Sequence, residues 1–358
     1  MTSYIIRRLL LTIPVLFGLV LTVFFLTRVL PGDPCRALLG ERATEAACAA
    51  FNRQNGFDQP IPVQFVRYVG QIAHGDLGSS IRTSEPVTSL LLSRLPMTVE
   101  LTFYALVFAI LVGATLGIVS AYRRNSPVDV LTMALANVGV SIPIFVLGLV
   151  LAYAFAVLLK GTPLALPPSG RLSPGLDVVP LAKTWGLTGL NGPPRAIVDF
   201  ISNIYSLNAL LTGNWPLLGD AIRHLILPAV ALGTIPLAII ARITRSSLLD
   251  VLGLEYIRTA RAKGLTERAV VRSHALPNAM LPVVTIIGLQ LGSLLGGAVL
   301  TETIFNLAGV GRAVFEAIAG RDYAVVQGFV FVTAVAFLIL NLIVDISYAF
   351  LDPRIRLS

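Results

Sequence analysis

The chain has 358 residues, of which 55% are hydrophobic and 13% charged, with a net charge of +8 and a mean hydropathy of +0.82. A soluble domain carries about 25% charged residues. This composition excludes one and, with apolar runs long enough to cross a bilayer, predicts an integral membrane protein. The positive charge is almost all arginine, the lysines being Lys160, Lys183 and Lys263. Its placement argues for membrane orientation and against nucleic acid as a partner.

Residues 1–8 form a short head with Arg7 and Arg8, and 9–30 read as the first span. The apolar run exceeds the ~7–15 residues of a signal-peptide core, and no small-x-small site follows directly, so the span reads as uncleaved. Pro31, Gly32, Asp33 and Pro34 should break the helix where it leaves the bilayer. Residues 35–96 are polar and mixed. Helical stretches at 44–55 and 63–73 are punctuated by Gly56, Pro60 and Gly75. Phe51, Phe57, Phe65, Val66, Tyr68 and Ile72 are candidates for a core, which predicts a small folded unit.

The second span is expected at 99–121, closed by Tyr122, Arg123, Arg124 and Asn125. Residues 128–159 are a third apolar stretch, longer than one span needs, with Pro143 expected to kink it. Residues 160–223 form a long polar loop rich in proline and glycine (Pro163, Pro167, Pro168, Gly170, Pro174, Pro193, Pro194). Loops of this length are functional or disordered. The fourth span is expected at 225–243, with Pro228 and Pro236 inside, the fifth at 281–300 and the sixth at 325–350. The tail is 351–358.

Between spans four and five lies LEYIRTARAKGLTERAVVRSHALP, residues 254–277. Residues 254–263 are good helix formers. Gly264 can take the left-handed conformation that ends the helix. Thr266 can cap a second short helix, expected to stop at Leu276-Pro277. The result is a helix–glycine–helix elbow on the membrane surface, suited to pushing on another protein. An ordinary loop between spans is the other reading of the same composition.

Charge density sets the topology. With the amino terminus inside, the short inside segments hold Arg7 and Arg8, Arg123 and Arg124, Arg245, Arg258, Arg261, Lys263, Arg268 and Arg272, then Arg354 and Arg356. Long loops cross largely regardless of charge, so the short ones decide. Six spans then put both termini and the elbow in the cytoplasm and both long loops outside. The chain divides into a head and first span (1–30), an outer unit (31–97), a core of spans two to six (98–350) and a tail (351–358). The core includes the outer loop 160–223 and the cytoplasmic loop 244–278.

Small residues recur four apart at Gly113 and Gly117 and at Gly288, Gly292 and Gly296, a spacing that lets helices approach closely. Catalytic groups are not found. His74, His224 and His274 are scattered without metal-ligand spacing. No lysine follows a glycine, so there is no phosphate loop of the Walker type. The Gly-x-Gly at Gly309 and Gly311 has no strand before it, and Ser79 and Ser80 form no nucleophile elbow. Asp345 is the one acid well inside an apolar run, one turn after Asn341. It reads as a structural ion pair or hydrogen bond between helices, with a substrate or ion contact as the alternative.

Several stretches resemble permease subunits of ABC importers in the dipeptide, oligopeptide and nickel branch. The elbow carries the family's EAA-loop spacing. The three EAA positions are Arg258, Thr259 and Ala260, Gly264 follows at the glycine position, His274 stands where the pattern has isoleucine, and Leu276-Pro277 complete it. The motif departs from the pattern at its glutamate, its first alanine and its isoleucine, as is familiar in this branch, where a TARAKG run is common. Residues 30–34, Asp58-Gln59-Pro60, Val63-Gln64-Phe65, 75–78, Arg94-Leu95-Pro96, 166–171, the run TETIFNLAGVGR at 301–312, 320–328 and 352–356 are also similar.

The resemblance implies an all-α integral membrane protein of six transmembrane helices with the type I ABC importer permease fold. An extracytoplasmic domain would lie between helices one and two. It implies a prokaryotic cell inner or plasma membrane location and a heterodimer with a second, homologous permease. Two cytoplasmic ATPases that bind ATP and Mg, an extracytoplasmic substrate-binding protein and membrane lipid would complete the surroundings. The elbow would dock on an ATPase, and this chain would need no cofactor or catalytic residue of its own. Peptide is the expected cargo, with nickel or another small solute as the alternative; no substrate-binding residue is assigned. An ion-coupled carrier would need inverted repeats and midplane acids, and an intramembrane enzyme a nucleophile–base pair; neither is apparent.

Cys35 and Cys48 are the cysteines of the chain, and both fall in the unit placed outside. An isolated pair on the oxidising side reads as a disulfide, the alternative being two free thiols packed in a helix.

Overall fold

The computed structural model describes residues 2–29, 34–40, 42–187 and 189–351. The expected break at residues 31–33 and the tail 352–358, with Arg354 and Arg356, lie outside the described residues.

Among the described residues the regular elements are helical, with a single bridge pairing Ser79 and Pro86. In chain order they are α1 (Thr2–Val29), α2 (Pro34–Leu39), α3 (Glu45–Asn55), α4 (Ile61–Ala73), α5 (Val87–Tyr122), α6 (Pro127–Ser141) and α7 (Ile144–Tyr153). A π-helical segment (Ala154–Leu158) extends α7. Then come α8 (Leu181–Thr184), α9 (Pro193–Ser202), α10 (Tyr205–Thr212), α11 (Trp215–Leu252), α12 (Glu255–Ala262) and α13 (Glu267–Ala269). A second π segment (Val270–Ala275) leads into α14 (Leu276–Gly297), followed by α15 (Val299–Ile304), α16 (Val310–Ala319) and α17 (Tyr323–Leu351).

Five helices are long and apolar enough to cross a membrane, and a bent pair, Pro127–Ser141 with Ile144–Leu158, makes up to six. The pair turns through 103°, a break rather than a kink. Pro143 withholds a backbone donor and Ile142 takes an extended conformation ahead of it. Helices α5 and α11 run to 36 and 38 residues. At 1.5 Å per residue each is over about 50 Å long, well beyond the ~30 Å hydrocarbon layer. Hydropathy marks only the apolar part, and the helices run past the spans read from sequence, α5 at its start and α11 at both ends.

Helix starts follow local chemistry. The Thr44, Ser126 and Asn214 side chains accept from Ala47, Asp129 and Leu217 N–H groups to cap α3, α6 and α11. The central seam joins α5 to α11. A Cβ added to Gly113 would lie 2.6 Å from the Leu237 carbonyl, and one on Gly117 2.6 Å from that of Ala241. Gly233 reciprocates, 2.7 Å from the Ala105 carbonyl. Gly288 and Gly292 meet Val344 and Phe337 of α17 in the same way, whereas Gly296 faces open space.

The unit between α1 and α5 is built onto the spans rather than around its own core. Phe65 and Tyr68 of α4 lie 5.1 and 5.7 Å from the Phe24 ring of α1. Phe57 meets Phe51 and Tyr323. Val66, a core candidate, is 70% exposed, because α4 turns its Phe65–Tyr68–Ile72 face to α1 and Val66 lies on the other. Cys35 and Cys48 are bonded, Cα to Cα 5.4 Å apart, which ties α2 to α3.

The 160–223 loop is folded. Arg171 pairs with the buried Glu100 of α5 at 2.7 Å and donates to the Asn203 carbonyl. Ser173 donates its N–H and hydroxyl to Asp220 at 2.7 and 2.6 Å. Asn208 donates to the Val179 and Ser202 carbonyls, drawing α8, α9 and α10 together.

Candidate coupling elbow

Helix α11 ends at Leu252, Leu254 turns extended, and α12 begins. Ile257 and Ala260, three residues apart and therefore on one face, are 0% and 6% exposed. They pack with Leu248, Ala121, Val270, Val271, Ala275 and Ala279. The elbow is thereby seated on the ends of α5, α11 and α14. Arg258 and Thr259 point outward, and Arg258 pairs with exposed Glu255 at 2.8 Å.

Gly264 has φ +80°, and a Cβ added there would meet nothing within 4 Å. Its requirement for glycine is therefore conformational rather than steric. Arg261 closes the turn with two hydrogen bonds to Glu267, at 3.0 and 2.7 Å. The Thr266 side chain accepts from Ala269 N–H at the start of α13. The second limb does not stop at Leu276-Pro277. Pro277 has no N–H for the Ser273 carbonyl, and the chain passes it as a wide π turn, with Leu276 N–H donating to Val271, before running on as α14. The His274 carbonyl accepts from Asn278 at 3.0 Å and from the Tyr256 hydroxyl at 3.4 Å, bracing both limbs. Leu254, Tyr256 and Leu265 are 48%, 41% and 41% exposed. The elbow thus presents arginines and scattered apolar side chains on a rigid, internally bonded knob.

The model for the binding-protein-dependent transport system inner membrane component matches residues 113–357, and that for the N-terminal part of such membrane components matches 1–102. The chain belongs to this family. It is similar, at 45% identity over 99% of its length and 100% of the relative's, to the dipeptide transport system permease protein DppB of Alkalihalophilus pseudofirmus. It is 43% identical, over 99% of both chains, to the di/tripeptide transport system permease protein DppB of Pseudomonas aeruginosa. The dipeptide transport system permease protein DppB of Escherichia coli is similar to the same extent.

In this membrane component the run TETIFNLAGVGR builds a carboxylate cage, not a nucleotide loop. Glu302 is 0% exposed. Its oxygens accept from Thr98 of α5 at 2.6 Å and from Arg312 N–H at 2.9 Å. A Cβ added at Gly309 would fall 2.4 Å from that carboxylate, and one at Gly311 2.6 Å from the Val299 backbone, which explains both glycines. Asp322 does the same between α16 and α17. It accepts from the Ser80 hydroxyl at 2.5 Å and from Ile81 N–H at 3.2 Å, fixing the 79–86 turn. Gln327 donates to Thr27 of α1 at 2.9 Å. Asp345 pairs with Arg8 of α1 at 2.7 Å, an interhelical ion pair. From sequence, Glu302, Asp322 and Gln327 fall in matching segments and Glu100 and Asp129 at span ends, all without a partner, and Thr98 carries no signal. A threonine in an apolar helix signals nothing until its partner is seen. Among the described residues no group of three or more His, Cys, Asp or Glu is placed to hold a metal ion.

Proposed function

We infer that this chain is a permease subunit of an ATP-driven ABC importer and forms part of the pathway for di- or oligopeptides. The observation that carries this reading is the similarity to dipeptide permeases of three organisms at 43–45% identity along nearly the whole chain. In this reading a second, homologous permease completes the pathway and an extracytoplasmic binding protein delivers the peptide. Two cytoplasmic ATPases bind ATP and Mg.

The elbow serves as the contact with an ATPase. Its seating on three long helices supports this role, because a push on Arg258, Thr259 or Tyr256 is transmitted to α5, α11 and α14 together. The amino terminus and the elbow then lie in the cytoplasm, and the α2–α4 unit and the 160–223 cap lie outside. The chain supplies no hydrolytic step; the free energy comes from ATP on the partners.

The test is reconstitution of the complete importer in proteoliposomes. ATP-dependent accumulation of a radiolabelled dipeptide, lost when the binding protein is omitted, is the expected result. Accumulation of nickel ion but no peptide, or uptake driven by a proton gradient without ATP, would overturn the reading.

A further inference from the structure

The apolar core that seats the elbow draws on α5, α11 and α14 and contains no residue of α6 or α7. Farther along, Ala136 of α6 packs in an apolar cluster with α5, α11 and α14, and a polar joint lies at the start of α6. Ser120, next to Ala121 at the base of that core, donates its hydroxyl to Asp129 in the first turn of α6. Asp129 is 5% exposed. It also accepts from Arg245 of α11 through Nε at 2.9 Å and Nη2 at 2.8 Å, and from Asn125 N–H at 3.0 Å. Arg245 stands three residues, almost one turn, before Leu248 of the elbow core. One carboxylate therefore joins the end of α5, the α5–α6 turn and α11.

The rest of the broken span continues the connection. Arg242 donates to Asn137 of α6 at 3.0 Å. A Cβ on Gly139 would sit 2.7 Å from the Thr234 side chain of α11. Past the 103° break, a Cβ on Gly148 of α7 would lie 3.2 Å from the Phe305 ring. The Phe305 carbonyl in turn accepts from Gly170 N–H of the folded cap at 2.9 Å.

We propose that Asp129 and Arg245 form the joint that hands displacement of the elbow to the broken span α6–α7. Apolar helix contacts can slide. A two-bond arginine–carboxylate fork resists both sliding and rotation. A buried ion pair is weak grounds for stability in itself, and holding register is its best-attested use. Asp129 and Arg245 are positioning residues, acting through α6 and not on peptide or ATP. The inference rests on the permease reading.

The test measures ATP hydrolysis and peptide uptake on the same proteoliposomes holding the complete importer. Asp129→Asn keeps the side-chain shape and removes the charge. It should lower uptake per ATP roughly tenfold, within the usual range of coupling between sites, with hydrolysis near the wild-type rate. Arg245→Lys, which keeps the charge and loses the fork, should fall between. If Asp129→Asn does not assemble, Ser120→Ala deletes one bond, leaves the ion pair, and should shift the same ratio in the same direction by less. An unchanged ratio in an assembled variant overturns the proposal. So does an equal fall in uptake and hydrolysis, the result for a merely structural pair. A wild-type importer without ATP-driven peptide uptake overturns the permease reading, and the proposal with it.

Discussion

The Thr98 hydroxyl donates to Glu302 at 2.6 Å, joining residues 204 positions apart in the chain. The same oxygen accepts from Val310 N–H at 2.9 Å, so one side chain ties α5 to both α15 and α16. Thr98→Val keeps the shape and removes both bonds, leaving a buried carboxylate and a buried N–H short of partners. The expected loss is about 1–3 kcal/mol, read as a lower thermal midpoint of the detergent-solubilised protein. Thr98→Ser should retain most of it. Equal midpoints for Thr98→Val and wild type would remove this tie from the account.

Burial pushes the Glu302 carboxyl above its ordinary value of 4.5, while Thr98, Arg312 N–H and Gly311 N–H pull it part of the way back. A raised folded-state pKa means that the native protein holds the proton more tightly than the unfolded chain. The associated stability is complete below pH 4.5 and is lost as pH rises through the raised value. Glu302→Gln cannot ionise. Its thermal midpoint should decline less than that of wild type as pH is raised from 4 towards neutrality, on the order of the shift itself. Parallel profiles for the two proteins would contradict the assignment.

Gly264 sits at φ +80° with open space where a Cβ would project. Gly264→Val places a β-branched residue in a conformation it resists, and should abolish ATP-driven uptake while membrane insertion stays normal. Gly264→Asn tolerates the left-handed region and should keep most of the activity. Wild-type uptake by an inserted Gly264→Val protein would remove the elbow from the mechanism.

Orientation can be read by chemical labelling. Asn191 and Arg268 are both exposed. With the native cysteines replaced, a cysteine at Asn191 should react with a membrane-impermeant maleimide added to whole cells. One at Arg268 should react only after permeabilisation. The reverse pattern would invert the topology.

The Cys35–Cys48 bond joins cysteines 13 positions apart in the chain. Loop-closure reasoning assigns such a bond roughly 3 kcal/mol. Purified protein alkylated without reduction should show both cysteines unmodified by mass spectrometry, and both modified after reduction. Two alkylated cysteines before reduction would argue against the bond and against an oxidising compartment for α2–α4.

What the sequence determines by itself is local. The apolar runs that mark the spans, the left-handed turn at Gly264 and the Thr266 cap depend on residues within a few positions of one another, so composition and spacing suffice to read them. The third span shows the limit. Pro143 announces a disturbance, but a kink and a 103° turn differ in what α7 packs against, here α11 and Phe305. Val66 shows another, since an apolar residue on a short helix is buried only if a neighbour covers its face. Beside any near donors, Glu302, Asp322, Glu100 and Asp129 each have a side-chain donor far away in the chain: Thr98, Ser80, Arg171 and Arg245. A carboxylate near an apolar run signals that a partner must exist, because an unpaired charge there is costly. Only the packing of α5 against α11, α15 and α16, of the 160–223 segment onto α5 and of the 79–86 turn onto the start of α17 decides which donor arrives, because each segment is laid down by its own sequence and the bond forms where two of them meet.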